Sequence, residues 1–458
     1  RDWCTPTPLL PSTMPPNSGN GGAGGAPSEL QVFPTEASLP EGYIAIDGEV
    51  YDLKGFDHPG GDSINLFGGN DVSVQYRMIH PFHAGKGAVS KMRKVGRLAK
   101  PARMDYTFGS EFEKDLIASV AKVVKPSQRF ATFGFWFRCA FYVSLYALLT
   151  YFYVSQGSSI TLCILIGMSQ ASIGLNVQHD ANHGAVSPTA FWNDFLGFGA
   201  DMIGGCKYLW LQQHWTHHAF TNDITRDPDA SSTDPFFLFH DYDKNSATRK
   251  AMHVFQHFYM IPVLAMYWAS SIFNTNVVTL QHTGAADAGM KFANQYRESQ
   301  RPISVLLRSL YLGLYCATPF YYHSWPTALA HVWLMAVSES LTLAIPFALS
   351  HNFLDSERHP VANGKTCWYK SQVETSSTYG GHIAGYLTGG LNFQIEHHLF
   401  PRMSSAWYPY IQPTVREVCK RHGVNYVYYP NIFSNLYSTF SYIAQVGSGS
   451  YERKVKAN

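Results

Sequence analysis

Two long stretches of this chain, residues 139–206 and 309–357, contain no lysine or arginine. Four apolar runs fall in and around them, at residues 133–153, 160–177, 305–322 and 328–349. Each is close to the roughly 20 residues that an α-helix needs to cross a bilayer. The loops joining each pair, SQGSS and HSWP, are uncharged, and the segments outside the pairs carry the basic residues. Lysine and arginine hold flanking segments in the cytosol. The chain is therefore expected to form two transmembrane hairpins with their short loops on the far side. Arg138 and Arg308 lie near the outer ends of two runs, where their stems are expected to snorkel toward the headgroups. Two further apolar stretches, 191–211 and 252–273, confuse this count. The second has basic residues on both flanks, so crossing would break the charge rule, and both are expected as helices in the cytosolic interface.

At 458 residues the chain is too long for one small core. Aromatic residues are heavy at 15% and charged ones sparse at 14%, a skew toward membrane. A net charge of +2 argues against a nucleic-acid partner, which would call for a concentrated basic face. Seven scattered cysteines without a CxxC pair argue against a disulfide framework. Residues 1–40 are rich in Pro, Gly, Ser and Asn and are expected as a disordered tail; no secretory signal is read there. A small α+β unit is expected over 41–100, opening with YIAIDGEVYDL, two strands around an Asp-Gly turn. A helical linker (101–128), an all-α polytopic membrane domain (129–445) and a short tail (446–458) complete the multi-domain reading.

The α+β unit carries FDHPGGD, with His58. His80 and His83 follow 22 and 25 residues later, too far along one straight helix, roughly 33 Å or more, to bind one metal ion together with His58. Two ligands of one iron must come from different, facing elements. HPGG, then GGND at 68–71, an aromatic at Tyr76 and a histidine resemble the haem pattern of the cytochrome b5 family. The resemblance implies a low-spin, electron-carrying haem b with His58 and His80 as axial ligands, His83 being the runner-up for the second.

Three histidine clusters follow: HDANH (His179, His183), HWTHH (His214, His217, His218) and QIEHH (His397, His398). Residues three or four apart share a helix face, so each cluster can aim at least two imidazoles at one place. An even number of spans separates the clusters from each other and from the haem unit, so all can converge on one side. Seven imidazoles exceed one closed zinc site and suit two metals. Imidazole binds iron, copper, nickel and zinc alike, but an electron donor in the same chain implies a redox metal. QIEHH has glutamine where HWTHH has histidine. The Gln394 amide is a poorer ligand than imidazole, so it either binds one metal weakly or positions water, another small molecule or a neighbouring ligand.

The boxes and the fusion resemble membrane fatty acid desaturases, specifically the front-end desaturases with an N-terminal cytochrome b5 domain, from about Tyr43 onward. GGLNFQIEHHLFPRMSSAWYPYI is most like the delta-5 microalgal members, which act on C20 polyunsaturated acyl chains. The resemblance implies two iron ions among the box histidines, with O2 as co-substrate and NADH electrons arriving through cytochrome b5 reductase. It also implies a phospholipid- or CoA-linked polyunsaturated acyl substrate, and His351 as an eighth ligand just past the fourth span. Delta-6 or delta-8 acyl desaturases, a sphingolipid desaturase or a hydroxylase use the same scaffold. His331 is too far along its span to join the site. His253 and His257 are read as structural, Glu339 as a buried packing residue, and Asp180, Asp223 and Asp227 as imidazole partners or solvated acids. The terminal KVKAN, with Lys454 and Lys456, resembles an endoplasmic-reticulum retrieval signal. The expected setting is that membrane, bounded by lipid, with haem and boxes facing the cytosol.

Overall fold

The computed structural model describes residues 30–58, 60–82, 89–101, 105–267, 294–356 and 366–451, with backbone alone at 62 and 294–300. His83, Lys454 and Lys456 lie outside the described residues. Four strands, β1 (Gln31–Phe33), β2 (Tyr43–Ile46), β3 (Glu49–Asp52) and β4 (Arg93–Leu98), form one sheet in the order β1-β4-β3-β2. The Asp-Gly turn between β2 and β3 places Asp47 and Gly48 at φ 53° and 80°. Two positive φ values make a primed turn, whose twist matches the strands it joins. The sheet starts earlier than the composition suggests. β1 runs parallel to β4 and buries Phe33, within the stretch expected as tail. A three-residue strand leaves no periodicity to read against a Pro/Gly/Ser background.

The linker forms the helix Glu111–Val123, opened by Ser110, whose hydroxyl accepts from the Glu113 amide at 3.1 Å. It is tied to the C-terminal half of the chain, where Asp115 accepts from Arg421 and His422, each at 2.9 Å.

Among the described residues four helices are long and apolar enough to cross a membrane: Pro126–Gln156, Ile160–Asn182, Arg301–Tyr322 and Trp325–His351. The two hairpin loops meet at one end. His323 Nε2 and Ser158 O lie 2.7 Å apart, His331 Nδ1 and Ser158 Oγ 2.8 Å, and Tyr322 donates to Val154 O at 2.8 Å. His331 thus sits at the loop end, far from the boxes. The second and fourth spans approach closely at Gly167, where a Cβ would fall 2.4 Å from Met335 O. Small residues permit such contact, and van der Waals packing replaces the hydrophobic effect inside lipid.

At the opposite end the spans carry a cap. Arg138 and Arg308 do not snorkel. Both are buried; Arg138 donates to Ser405 Oγ at 2.8 Å, and Arg308 to the carbonyls of Gly204 and Gly205. A guanidinium with acceptors nearby gains more by pinning the cap to the spans than by reaching for water. The stretch at 191–211 is broken into Ala190–Gly197, Gly199–Met202 and the start of Lys207–Ala219, with Gly204 at φ 86° in the break. Phe191, Trp192 and Phe195 are exposed on its first piece, as an interfacial helix requires. The other stretch is helical from a 3-10 turn at Ala251–Phe255 through residue 267 and exposes Phe255, Phe258 and Met266; residues 268–273 lie outside the described residues.

Candidate metal centre

The second span changes pitch before its histidines. Gly174–Gln178 is a π-helical turn, and one extra residue rotates everything after it by about 100° relative to a continuous α-helix. His179 and His183 follow, one turn apart, and Gly184 at φ 64° ends the helix. His214, His217 and His218 lie on Lys207–Ala219, His397 and His398 on the short helix Gln394–Leu399, and His351 is the last residue of the fourth span.

These elements bring all eight imidazoles together. The donor atoms of His179, His183, His214 and His397 lie within 4.8 Å of one another, and so do those of His217, His351 and His398. His218 stands between the two groups. Its Nε2 is 3.1 Å from His214 Nε2, and its ring stacks on His398 at 4.1 Å. None of the eight is more than 6% exposed.

Several rings are held from behind. His217 Nδ1 is 3.0 Å from both oxygens of Asp227, and His398 Nδ1 is 2.9 Å from Gln372 Oε1. His351 Nδ1 is 3.0 Å from Thr375 O, and His397 Nδ1 is 3.0 Å from Tyr408 Oη. With Nδ1 engaged, Nε2 is left as the lone-pair donor on the cluster side. Of the three acids weighed from sequence, Asp227 fits as an imidazole partner. Asp180 sits 3.8 Å from His179 but accepts hydrogen bonds from Ser404 and Ser405, and Asp223 pairs with Arg226 at 2.6 Å. None of the three is a solvated loop acid, since all are buried. Gln372, Thr375 and Tyr408 lie outside the box motifs, and nothing in their spacing marks them.

The site fits cations. Both ring nitrogens of His179 and His183, Nε2 of His397 and Oε1 of Gln394 are buried without a hydrogen-bond partner among the described residues, a state that polar groups in a packed interior avoid. Burial, reinforced by neighbouring imidazoles, holds the pKa values of His183, His214, His218, His397 and His398 well below the usual histidine value. They are neutral, which is the ligating form. Burial also works against a charge on His217, but Asp227 and Asp229 outweigh it and raise that pKa to about 9. His253 is elsewhere, bonded to Pro235 O at 2.8 Å and to the Lys250 amide.

In the α+β unit the rings of His58 and His80 face each other with centroids 6.3 Å apart and planes at 87°. Two metal–nitrogen bonds of about 2 Å each, plus the two half-rings, account for such a spacing. His58 Nδ1 accepts from the Gly60 amide at 3.1 Å, and His80 Nδ1 lies 2.8 Å from Tyr76 O. Burial and then the positive charge of Arg402 lower the His58 pKa to about 4, again favouring the ligating form. Ile44, Ile46, Phe56, Ile64 and Phe67 give the pocket apolar walls.

Membrane-length helices capped by a buried histidine cluster, with a haem-type pocket in the same chain, define a membrane oxidoreductase. The fatty acid desaturase model matches residues 158–430, and the cytochrome b5-like heme/steroid binding domain model matches residues 27–100. The chain belongs to the fatty acid desaturase family and carries a fused cytochrome b5-like domain. It is 33% identical to an acyl-lipid (7-3)-desaturase of Rebecca salina, over 88% of this chain and 90% of that protein. Identity to an acyl-lipid (7-3)-desaturase of Diacronema lutheri is also 33%, over 95% and 98%. To the Delta(5) fatty acid desaturase A of Dictyostelium discoideum it is 26%, over 92% and 93%.

Proposed function

We propose that this protein is a front-end desaturase acting on a polyunsaturated acyl chain. It places a cis double bond between an existing one and the carboxyl end, with delta-5 action on C20 acids as the first reading. One observation carries the substrate class. A cavity of about 210 Å³ is walled largely by apolar residues, among them Leu175, Ile203, Leu264, Leu343 and Phe347, with Gln213, Asp229 and Thr233 also in its lining; it reaches His179, His214, His217 and His351. A largely apolar cavity that includes imidazoles of both histidine groups in its wall suits a hydrocarbon whose reacting carbons must meet them.

His179, His183, His214 and His397 would hold one iron and His217, His351 and His398 the other, with His218 between. The chemistry that bound iron supplies is O2-dependent removal of two hydrogens from adjacent methylenes, with two electrons and two protons completing two waters. The chain's own part is placement. The apolar walls exclude water and hold the methylenes at the donors, while Asp227, Gln372, Thr375 and Tyr408 fix the imidazoles. Electrons arrive through the fused haem unit, itself reduced by a separate NADH-dependent cytochrome b5 reductase. The setting is the endoplasmic-reticulum membrane, with both sites toward the cytosol.

A second regiochemistry is favoured by the two relatives at 33% identity, both named (7-3)-desaturases. Expression in yeast fed C18, C20 and C22 polyunsaturated acids, with double-bond position read by mass spectrometry, separates the two. A hydroxylated product, or no new double bond in any acid, would overturn the desaturase reading.

A further inference from the structure

The haem-type pocket and the histidine cluster share a wall. The pocket between His58 and His80 is also lined by His183, Trp215 and Arg402, so His183 belongs to the border of both sites. The Trp215 ring lies 4.7 Å from that of His183. The two domains also meet where Phe82 stacks on Phe400 at 5.8 Å, and where a Cβ on Gly61 would fall 2.8 Å from Ala190 Cβ.

Arg402 lies where they meet. Its guanidinium is held between a glycine of the haem loop and one that ends the first histidine box. A Cβ on Gly60 would be 3.7 Å from Nη2, and one on Gly184 3.2 Å from it. No carboxylate of the described side chains pairs with this cation, and the charge that acts on it is another cation, Arg129. Arg129 lines a small recess with Arg402, His80 and Phe82, and spends a donor on Pro126 O at 2.5 Å. Burial, then the like charge of Arg129, lowers the Arg402 pKa to about 10. A partly buried guanidinium facing another is an arrangement that an anion completes.

We propose that Arg402, from the desaturase domain, binds a propionate carboxylate of the haem held by His58 and His80. This rests on the haem reading of that pair. Among the residues lining the pocket, Arg402 is the one arginine, with no lysine or carboxylate beside it, and the propionates are the only charged groups on the rim of haem b. Arginine's planar fork matches a carboxylate with two parallel hydrogen bonds. Such a contact would let both domains hold the haem, in a pocket that Trp215 and His183 also line.

The test uses the full-length protein in detergent, freed of haem and titrated with haem b or with haem dimethyl ester, which lacks both carboxylates. Binding is read from the Soret band. Wild type should bind haem b at least about tenfold tighter than the ester, the scale of one charged hydrogen bond. Arg402→Gln should bind haem b about as weakly as wild type binds the ester, and should match wild type on the ester itself. Arg402→Lys should fall between. Equal affinity of wild type for both compounds overturns the proposal. So does an Arg402→Gln loss of equal size for both, which would mark a packing defect. Absence of a Soret band from wild type with either compound overturns the haem reading itself, and the proposal with it.

Discussion

The side-chain amide nitrogen of Gln394 lies 3.0 Å from Nε2 of His351, and 3.1 Å from Nε2 of His398. These are hydrogen-bond lengths, and they also match the spacing of neighbouring corners of an octahedral shell with bonds of about 2.1 Å. The amide therefore stands at the edge of the second histidine group, at a ligand's distance. Its two ends are nearly indistinguishable by shape, and a half-turn would present Oε1, which is buried and unpartnered. Gln394→Leu is expected to lower iron retention about tenfold, and Gln394→Glu to keep it. Iron content at fixed chelator concentration is the measurement. Equal iron and equal product in the leucine variant would reduce the amide to a packing residue.

Asp227 holds His217 through both carboxylate oxygens and also accepts from the Asn222 amide at 2.7 Å. Asp227→Asn keeps the shape but removes the charge that fixes the ring. Loss of such a partner typically costs 10–100-fold in metal affinity or activity, and a loss in that range is expected here with the Soret band unchanged. Gln372→Leu, which strips His398 of its acceptor and leaves the Thr221 hydroxyl without one of its partners, should behave alike. Wild-type iron content and turnover in both variants would show that the rings are positioned by packing alone.

The two sites separate experimentally. His58→Ala should abolish the Soret band and leave iron at the histidine cluster, while His217→Ala should do the reverse. Both should lose product, because a desaturation needs electrons as well as the metal that uses them. Full activity in His217→Ala would remove the metal reading of the boxes.

The spans were legible because a bilayer imposes a length and charge rule that a sequence must show, and the boxes because i, i+3 and i+4 spacing survives any packing. Other features left no such trace. The π-helical turn at Gly174–Gln178 inserts a residue that looks like ordinary helix. Gln372 and Tyr408 reach the imidazoles only because separate segments fold over the cluster. Arg138 and Arg308 looked like headgroup anchors, since sequence gives depth along a helix but not what waits beside it. β1 was lost in a polar tail because its pairing to β4 joins residues more than 60 positions apart.

Two glycines carry close approaches that an alanine would break. A Cβ at Gly167 would strike Met335 O at 2.4 Å, and one at Gly389 would strike Leu175 O at 2.0 Å, where φ is also +66°. The first holds the second and fourth spans together, and the second holds the loop before Gln394 against the π-helical turn. Gly389→Ala suffers both strain and a clash with backbone, so a loss of more than about 2 kcal/mol is expected. It should appear as a lower thermal midpoint in detergent and reduced iron retention. A midpoint equal to wild type would show that the backbones there can separate without cost.

The cavity makes the last prediction. Ala344 lines it seven residues before His351 on the fourth span, roughly 10 Å along a helix axis from the imidazole. A larger side chain there fills the channel without touching a metal donor. Ala344→Phe is expected to reduce conversion of C20 and C22 acids by at least about tenfold, while shorter acids lose less, since one or two methylenes in an apolar pocket are worth about 1–3 kcal/mol. The Soret band and iron content should match wild type, which separates a blocked channel from an unfolded domain. If all chain lengths fell equally with cofactors intact, the acyl chain would have to run elsewhere, and the face lined by Phe347 and Leu343 would not be its path.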